Sequence, residues 1–143
     1  MPEHLRNSLF AVLAAAAIWI ISAVASAQGT NWHICQLDER RHACVVDGDT
    51  LWYEGTKIRL IGIDAPEVQG RCVNEHELAR QATVYLIELL STGLTRIDYD
   101  GQDRYGRSLA RLWVTDGEVG PTMIATGLAE PYGRRGPSPW CVR

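Results

Sequence analysis

The sequence predicts an α+β domain dominated by a five-stranded β-barrel of the OB type, with two helices, behind an N-terminal hydrophobic leader helix. Three observations carry this. The elements read strand, strand, strand, helix, strand, strand, helix, the order of a small Greek-key barrel. Other small α+β folds share that string. The chain has 143 residues, 46% hydrophobic and 22% charged, which suits one modest core and excludes a disordered, collagen-like or polytopic membrane protein. An apolar run precedes a segment holding all four cysteines.

The leader comes first. Met1 to Ser8 is short and polar with Arg6 as its positive charge, Leu9 to Ala25 is apolar apart from Ser22, and Ala25-Ser26-Ala27 offers small residues for cleavage. This pattern is that of a secretory signal peptide over residues 1–27, leaving Gln28 to Arg143 as an exported, periplasmic or extracellular chain. An uncleaved membrane anchor is the alternative, because the run is slightly long for a signal and slightly short for a spanning helix. An even count of cysteines in a small exported chain predicts two disulfides. Cys35 and Cys44 are close enough for local geometry to join them, and Cys72–Cys141 follows by elimination, tying down the tail. A metal site is the rival reading, but no Cys-x-x-Cys or clustered Cys/His spacing supports it.

Residues 28–42 form a polar lead-in expected to be mostly irregular. Ala43 to Asp47 is β-rich, Gly48 marks a bulge or close approach, and Thr50 to Tyr53 continues as a strand. The Glu54-Gly55 turn predicts a hairpin with Lys57 to Ile63. Asn74 followed by Glu77 has capping-box spacing, and Leu78, Ala82, Tyr85, Leu86 and Leu89 recur with helical period up to Gly93. Leu94 to Tyr99 returns to strand, Asp100-Gly101 to turn, and Arg107 to Val114 to strand, with Trp52 and Trp113 expected in the core. Pro121 to Ala125 reads as a short helix. The domain is placed at residues 43–132, and residues 133–143, a proline-rich tail, complete the chain.

Basic residues number 14 and acidic 17, for a net charge of −3, so no global positive field marks a polyanion partner. The basic set is lopsided, with 13 arginines and only Lys57. Arginine offers a planar fork to carboxylate or phosphate, although codon composition produces the same bias. Asp47 and Asp49 share one face of an extended segment, as in a turn, a salt bridge or a hard-cation site. Arg59 lies on an apolar strand and needs an anion, either a neighbouring aspartate or a phosphate. Simple alternation puts Arg59 and Asp64 on opposite faces, so a bulge or the strand end must intervene if they share a site. Asp103-Arg104-Tyr105-Gly106-Arg107 is either an ordinary hairpin connection or a stacking face between two guanidinium groups. His33, His42 and His76 have no motif around them.

Asp-Gly-Asp-Thr at residues 47–50, Arg-Leu-Ile-Gly-Ile-Asp-Ala-Pro-Glu at 59–67, Asp-Arg-Tyr-Gly-Arg-Ser-Leu-Ala at 103–110 and Gly-Leu-Ala at 127–129 stand in that order. Each is weak alone, but the ordered set is specific. From about Cys44 to Tyr132 the chain resembles the thermonuclease (staphylococcal nuclease-like) family. The resemblance implies an OB-fold, Ca²⁺-dependent phosphodiesterase that cuts DNA and RNA with little sequence preference and leaves 3′-phosphate ends. By position it implies Asp49, Asp64 and the backbone carbonyl of Ala65 as metal ligands, with Asp47 as a nearby carboxylate. It implies Arg59, Glu67 and Arg107 as catalytic residues and Tyr105 and Tyr132 as substrate contacts. A nucleic-acid substrate and a monomer are expected, with a membrane partner only if the leader is retained. The chain departs from the family's strongly basic best-known member in its acidic balance, and it ends soon after Gly-Leu-Ala. Arg134, Arg135 and Trp140 in that tail are solvated or touch a strand. A catalytically silent OB module that binds nucleic acid or another polyanion is the alternative, although all five matched side chains (Asp49, Arg59, Asp64, Glu67, Arg107) are present.

Overall fold

Alternating apolar residues build the sheet from which everything else hangs. The computed structural model describes residues 29–37 and 40–141; the leader expected over residues 1–27 lies outside them. The strands are β1 (His33–Ile34), β2 (Ala43–Asp47), β3 (Thr50–Tyr53), β4 (Thr56–Leu60), β5 (Ile63–Asp64), β6 (Leu94–Gln102), β7 (Ser108–Val114), β8 (Gly117–Glu118) and β9 (Glu130–Pro131). Helices α1 (Val73–Ser91) and α2 (Val119–Ala125) follow β5 and β8, and a 3-10 turn spans Pro139–Cys141. Among the described residues no helix is long and apolar enough to cross a membrane.

The main sheet is mixed, in the order β1-β2-β3-β4-β7-β6, with β8 on the far side of β7. The β1–β2 and β4–β7 pairs are parallel and the others antiparallel. A second, two-stranded sheet joins β5 to β9. Strand–strand–strand–helix–strand–strand–helix is therefore the observed order of the major elements. The main ladder stays open among the described residues, with β1 and β6 at its edges, so the closed barrel expected from the sequence is reduced to a mixed sheet with two helices.

Alternation explains the core. Leu51, Ile58, Leu60, Ala110, Leu112 and Val114 point inward from β3, β4 and β7 and meet Ala82, Leu86, Leu89 and Leu90 of α1 and Met123 of α2. Leu51, Ile58 and Leu86 are fully buried, and each such side chain contributes roughly 1.5–3 kcal/mol by leaving water.

Several local readings change. The N-cap of α1 is Cys72, whose sulfur accepts the Glu75 N–H, and not Asn74. Asn74 instead donates to the Trp140 carbonyl at 2.7 Å. Asp100-Gly101 is no turn: β6 runs through it with a register shift between Tyr99 and Gln102, and the chain reverses at Asp103–Arg107. The lead-in is not wholly irregular. Its β1 pairs with β2, and Trp32 is buried and stacked on Tyr53. Trp52 and Trp113 are only half-buried, because they lie on the outward face beside cations.

Cys35 is bonded to Cys44 and Cys72 to Cys141. The first bridge joins residues 9 apart and the second residues 69 apart. Loop-closure entropy then predicts unequal effects. Replacing Cys72 and Cys141 by serine should lower unfolding free energy by roughly 4 kcal/mol, against roughly 2.5–3 for Cys35 and Cys44. Denaturant titration of the two double variants checks that order.

Candidate functional site

The short turn between β2 and β3 creates the acidic half of the site. The Asp49 N–H donates to Asp47 Oδ1 at 3.1 Å, which closes the turn around Gly48. A Cβ on Gly48 would lie 2.6 Å from Ala82 and 2.8 Å from Ala65, so only glycine lets α1 and the β5 loop approach. That approach buries Asp49. Its Oδ1 accepts the Thr50 hydroxyl at 3.0 Å, and its Oδ2 accepts the Ala65 N–H at 3.0 Å.

Arg59 completes this half. Strand β4 stops at Leu60, and Gly62 adopts φ +81°, a left-handed turn that breaks the alternation. Arg59 and Asp64 thereby come to the same side. Arg59 Nη2 lies 3.1 Å from Asp49 Oδ2 and 3.2 Å from Asp64 Oδ1, while Nη1 donates to the carbonyls of Leu60 and Ile63 at 2.6 and 3.0 Å. The arginine side chain is 11% exposed and Asp64 is 58% exposed. Two carboxylate oxygens thus converge on one cationic nitrogen, with Asp64 open to solvent.

The carboxylates remain under-compensated. Burial, and next the Asp47 charge, push the Asp49 carboxyl up to about 7, against the pull of Arg59 and of the Ala65 and Thr50 hydrogen bonds. Burial also raises Glu67, helped by Asp47, Asp64 and Glu75 and opposed by Arg59. Carboxylate oxygens are the donors a hard divalent cation takes, but among the described residues Arg59 Nη2 lies between those of Asp49 and Asp64. Cys72, Glu75 and Cys141 also cluster, but the two sulfurs are bonded to each other and offer no thiolate. Glu75 is buried there because it accepts the Arg71 N–H at 2.8 Å.

The basic half comes from the β6–β7 connection. Asp103 Oδ1 accepts the N–H groups of Tyr105 and Arg107 at 2.9 and 3.0 Å, and Oδ2 holds Arg107 Nε at 2.6 Å. Burial alone would raise Asp103, but its hydrogen bonds to Arg107 and Tyr105 outweigh that and hold it below the ordinary carboxylate value. Parallel pairing of β4 with β7 sets Arg59 opposite Leu109, two residues beyond Arg107, and both arginines line the same cleft. The Tyr132 N–H donates to the Gly62 carbonyl at 3.0 Å, which anchors that tyrosine nearby. Arg59, Arg107, Tyr105 and Tyr132 consequently line one cleft of about 420 Å³. Both tyrosines are exposed, and the guanidinium carbons of Arg104 and Arg107 lie 4.8 and 5.5 Å from the Tyr105 ring centre.

Not every expected residue shares that cleft. Asp64, Ala65 and Glu67 line a smaller one of about 110 Å³, whose far wall is the tail with Arg134 and Trp140. Arg59 links the two halves through its contacts with Asp49 and Asp64. Sequence reasoning gave Asp103 no role of its own, although its spacing to Tyr105 and Arg107 has the form of an Asx turn. It also missed Glu75, whose capping-box spacing was hidden because the cap is a cysteine.

The Asp49 shift has a stability consequence of definite sign. Between the ordinary value of 3.8 and about 7 the folded chain binds a proton at Asp49 that the unfolded chain does not. The resulting stabilisation is fully present below pH 3.8 and is lost as the pH rises through about 7. In chelator, Asp49→Asn should therefore be relatively more stable than the parent at pH 7.5 than at pH 4. Denaturation midpoints across that range measure it.

Comparison with known proteins bears on the same residues. A family model described as staphylococcal nuclease homologue matches residues 57–139, more than half of the chain. The succinoglycan biosynthesis protein ExoI of Rhizobium meliloti is 33% identical over 93 residues, covering 61% of this chain and 49% of that protein. The thermonuclease of Staphylococcus intermedius is 31% identical over 91 residues, 59% of this chain and 54% of its own. An uncharacterized endonuclease of Escherichia coli O157:H7 is 32% identical over 93 residues, 62% and 57%. The chain spans about half the length of the curated relatives it matches. With the matched segment running from β4 through the Arg59 turn, α1 and the Asp103–Arg107 connection to the tail, the chain belongs to the staphylococcal nuclease homologue family.

Proposed function

We propose that this protein is a Ca²⁺-dependent endonuclease that hydrolyses phosphodiester bonds of DNA or RNA with little sequence preference and leaves 3′-phosphate ends. The observation that carries the reading is the placement of Arg59 and Arg107 on one cleft, with Arg59 also in contact with the carboxylates of Asp49 and Asp64. A phosphodiester is an anion, and negative charge gathers on its non-bridging oxygens as a nucleophile adds. Preorganised guanidinium forks stabilise that charge more than the ground state.

Arg59 and Arg107 act as the forks, the first held by Asp49 and two carbonyls and the second by Asp103. Asp49, Asp64 and the carbonyl of Ala65 are the proposed metal ligands, with Asp47 holding the Asp49 backbone N–H. A bound Ca²⁺ would supply further charge neutralisation at the same phosphate. Glu67, raised by burial and neighbouring carboxylates, takes the proton of the attacking water. The water oxygen bonds to phosphorus, the P–O5′ bond breaks, and the departing oxygen is protonated from solvent. Tyr105 and Tyr132 offer exposed rings for nucleotide contact.

The leader pattern and the two disulfides support export to the periplasm or the extracellular space. The mixed sheet with α1 packed on it supports an OB-fold-like domain over residues 43–132.

The oxidised protein should cleave single-stranded DNA, double-stranded DNA or RNA in calcium and stop in EDTA. Arg59→Ala and Arg107→Ala should each lower kcat/KM roughly 10²–10⁴-fold while circular dichroism stays unchanged. Full activity in EDTA, or in Arg107→Ala, overturns the proposal. Tight binding without cleavage in calcium leaves a nucleic-acid-binding module.

A further inference from the structure

The face that presents Arg59 continues along the sheet. Lys57 lies two residues before Arg59 on β4, on the same face and roughly 7 Å away along the strand. The register sets Lys57 opposite Trp52 on β3, as it sets Arg59 opposite Thr50. The Trp52 indole is flanked there by Arg41 and Lys57, whose charged groups lie 5.8 and 5.9 Å from its ring centre. With Cys35, Gln36, Leu37 and Val46, these residues line a cleft of about 280 Å³.

Packing does not require this arrangement. Both cations sit at the outer limit of cation–π range, so each contact is weak and easily replaced. Among the described residues neither Arg41 nor Lys57 is paired with a carboxylate. Lys57 is also the sole lysine of a chain with net charge −3. Two cations with no carboxylate partner among the described residues, beside a half-buried indole, complement a strand that carries both phosphates and unstacked bases.

We propose that this cleft is a second subsite for single-stranded nucleic acid, stacking a base on Trp52 and holding adjacent phosphates with Arg41 and Lys57. The inference rests on the nuclease reading of the Arg59–Arg107 cleft and extends it, because a strand gripped at Arg59 can run along the same face to Trp52. A duplex keeps its bases stacked inside and engages the subsite poorly. Long single strands are therefore the favoured substrate class, and the shortest substrates gain nothing from it.

The test compares a dinucleotide with a long single strand in calcium, and binding of the labelled long strand in chelator by fluorescence anisotropy. The variants are Trp52→Ala, Trp52→Phe and the double variant Arg41→Glu with Lys57→Glu. For Trp52→Ala and the double variant, KM on the long strand and Kd in chelator should each rise about tenfold, with kcat and dinucleotide kinetics unchanged. Trp52→Phe keeps a stacking ring and should stay near the parent, which separates stacking from a folding defect. Unchanged long-strand KM and Kd in both of those variants overturn the inference. So does equal competition by polyglutamate and by the long strand, which would mark a general anion patch. Should the parent cleave neither substrate, the nuclease reading fails, and the anisotropy series still decides the subsite on its own.

Discussion

The Arg59 guanidinium, nearly buried between two aspartates and two backbone carbonyls, is the constraint on which the site depends. A charge so placed is tolerable only with its acceptors in position. Asp49 and Asp64 supply opposite charge, and the carbonyls of Leu60 and Ile63 satisfy the remaining face. Those four acceptors come from the β2–β3 turn and from the chain just after β4. The arginine therefore locks the turn, the strand end and β5 into one geometry. Removing it would leave Asp49 buried beside Asp47 with no counter-charge, which links the site directly to the fold.

The site is held in a state that favours function over stability. Asp49 is buried enough to resist ionisation near neutrality, and Asp47 worsens the repulsion. A core built for stability alone would carry no such pair. The concentration of unfavourable negative charge is what a divalent cation or a developing phosphate charge, neutralised by one, can exploit. The basic half has the opposite character. Arg107 is held through its Nε by Asp103, whose other oxygen ties down the turn.

The tail has a structural part in this arrangement. Its 3-10 turn is bonded through Cys141 to Cys72, the residue that caps α1, and Trp140 accepts from Asn74 in the first turn of that helix. It thereby walls the side of the site that carries Asp64 and Glu67. A small domain with a limited core gains rigidity from such a covalent tie more readily than from further packing.

Much of this was legible in order along the chain. β-rich stretches bounded by turn residues marked β2, β3, β4 and β7, helical period marked α1, and the Glu54-Gly55 hairpin was read from its turn residues. The motif text named the residues now found around Arg59 and Arg107. Local rules failed where a tertiary contact competed with them. Cys72 displaced Asn74 as the cap, Asp100-Gly101 was carried through as a bulge because β7 pairs with Tyr99 and Gln102 on either side of it, and Trp52 and Trp113 stayed half-buried because they lie on the outward face. By itself the sequence determined which chemical groups are present, their spacing, and the periodicities that build each element, since all of these depend on near neighbours. Only the tertiary structure decided which groups meet. The left-handed Gly62 turn carries Asp64 round to Arg59, and the parallel β4–β7 register brings Arg107 onto the same cleft across about fifty residues of chain, a placement set by long-range packing that no local pattern encodes.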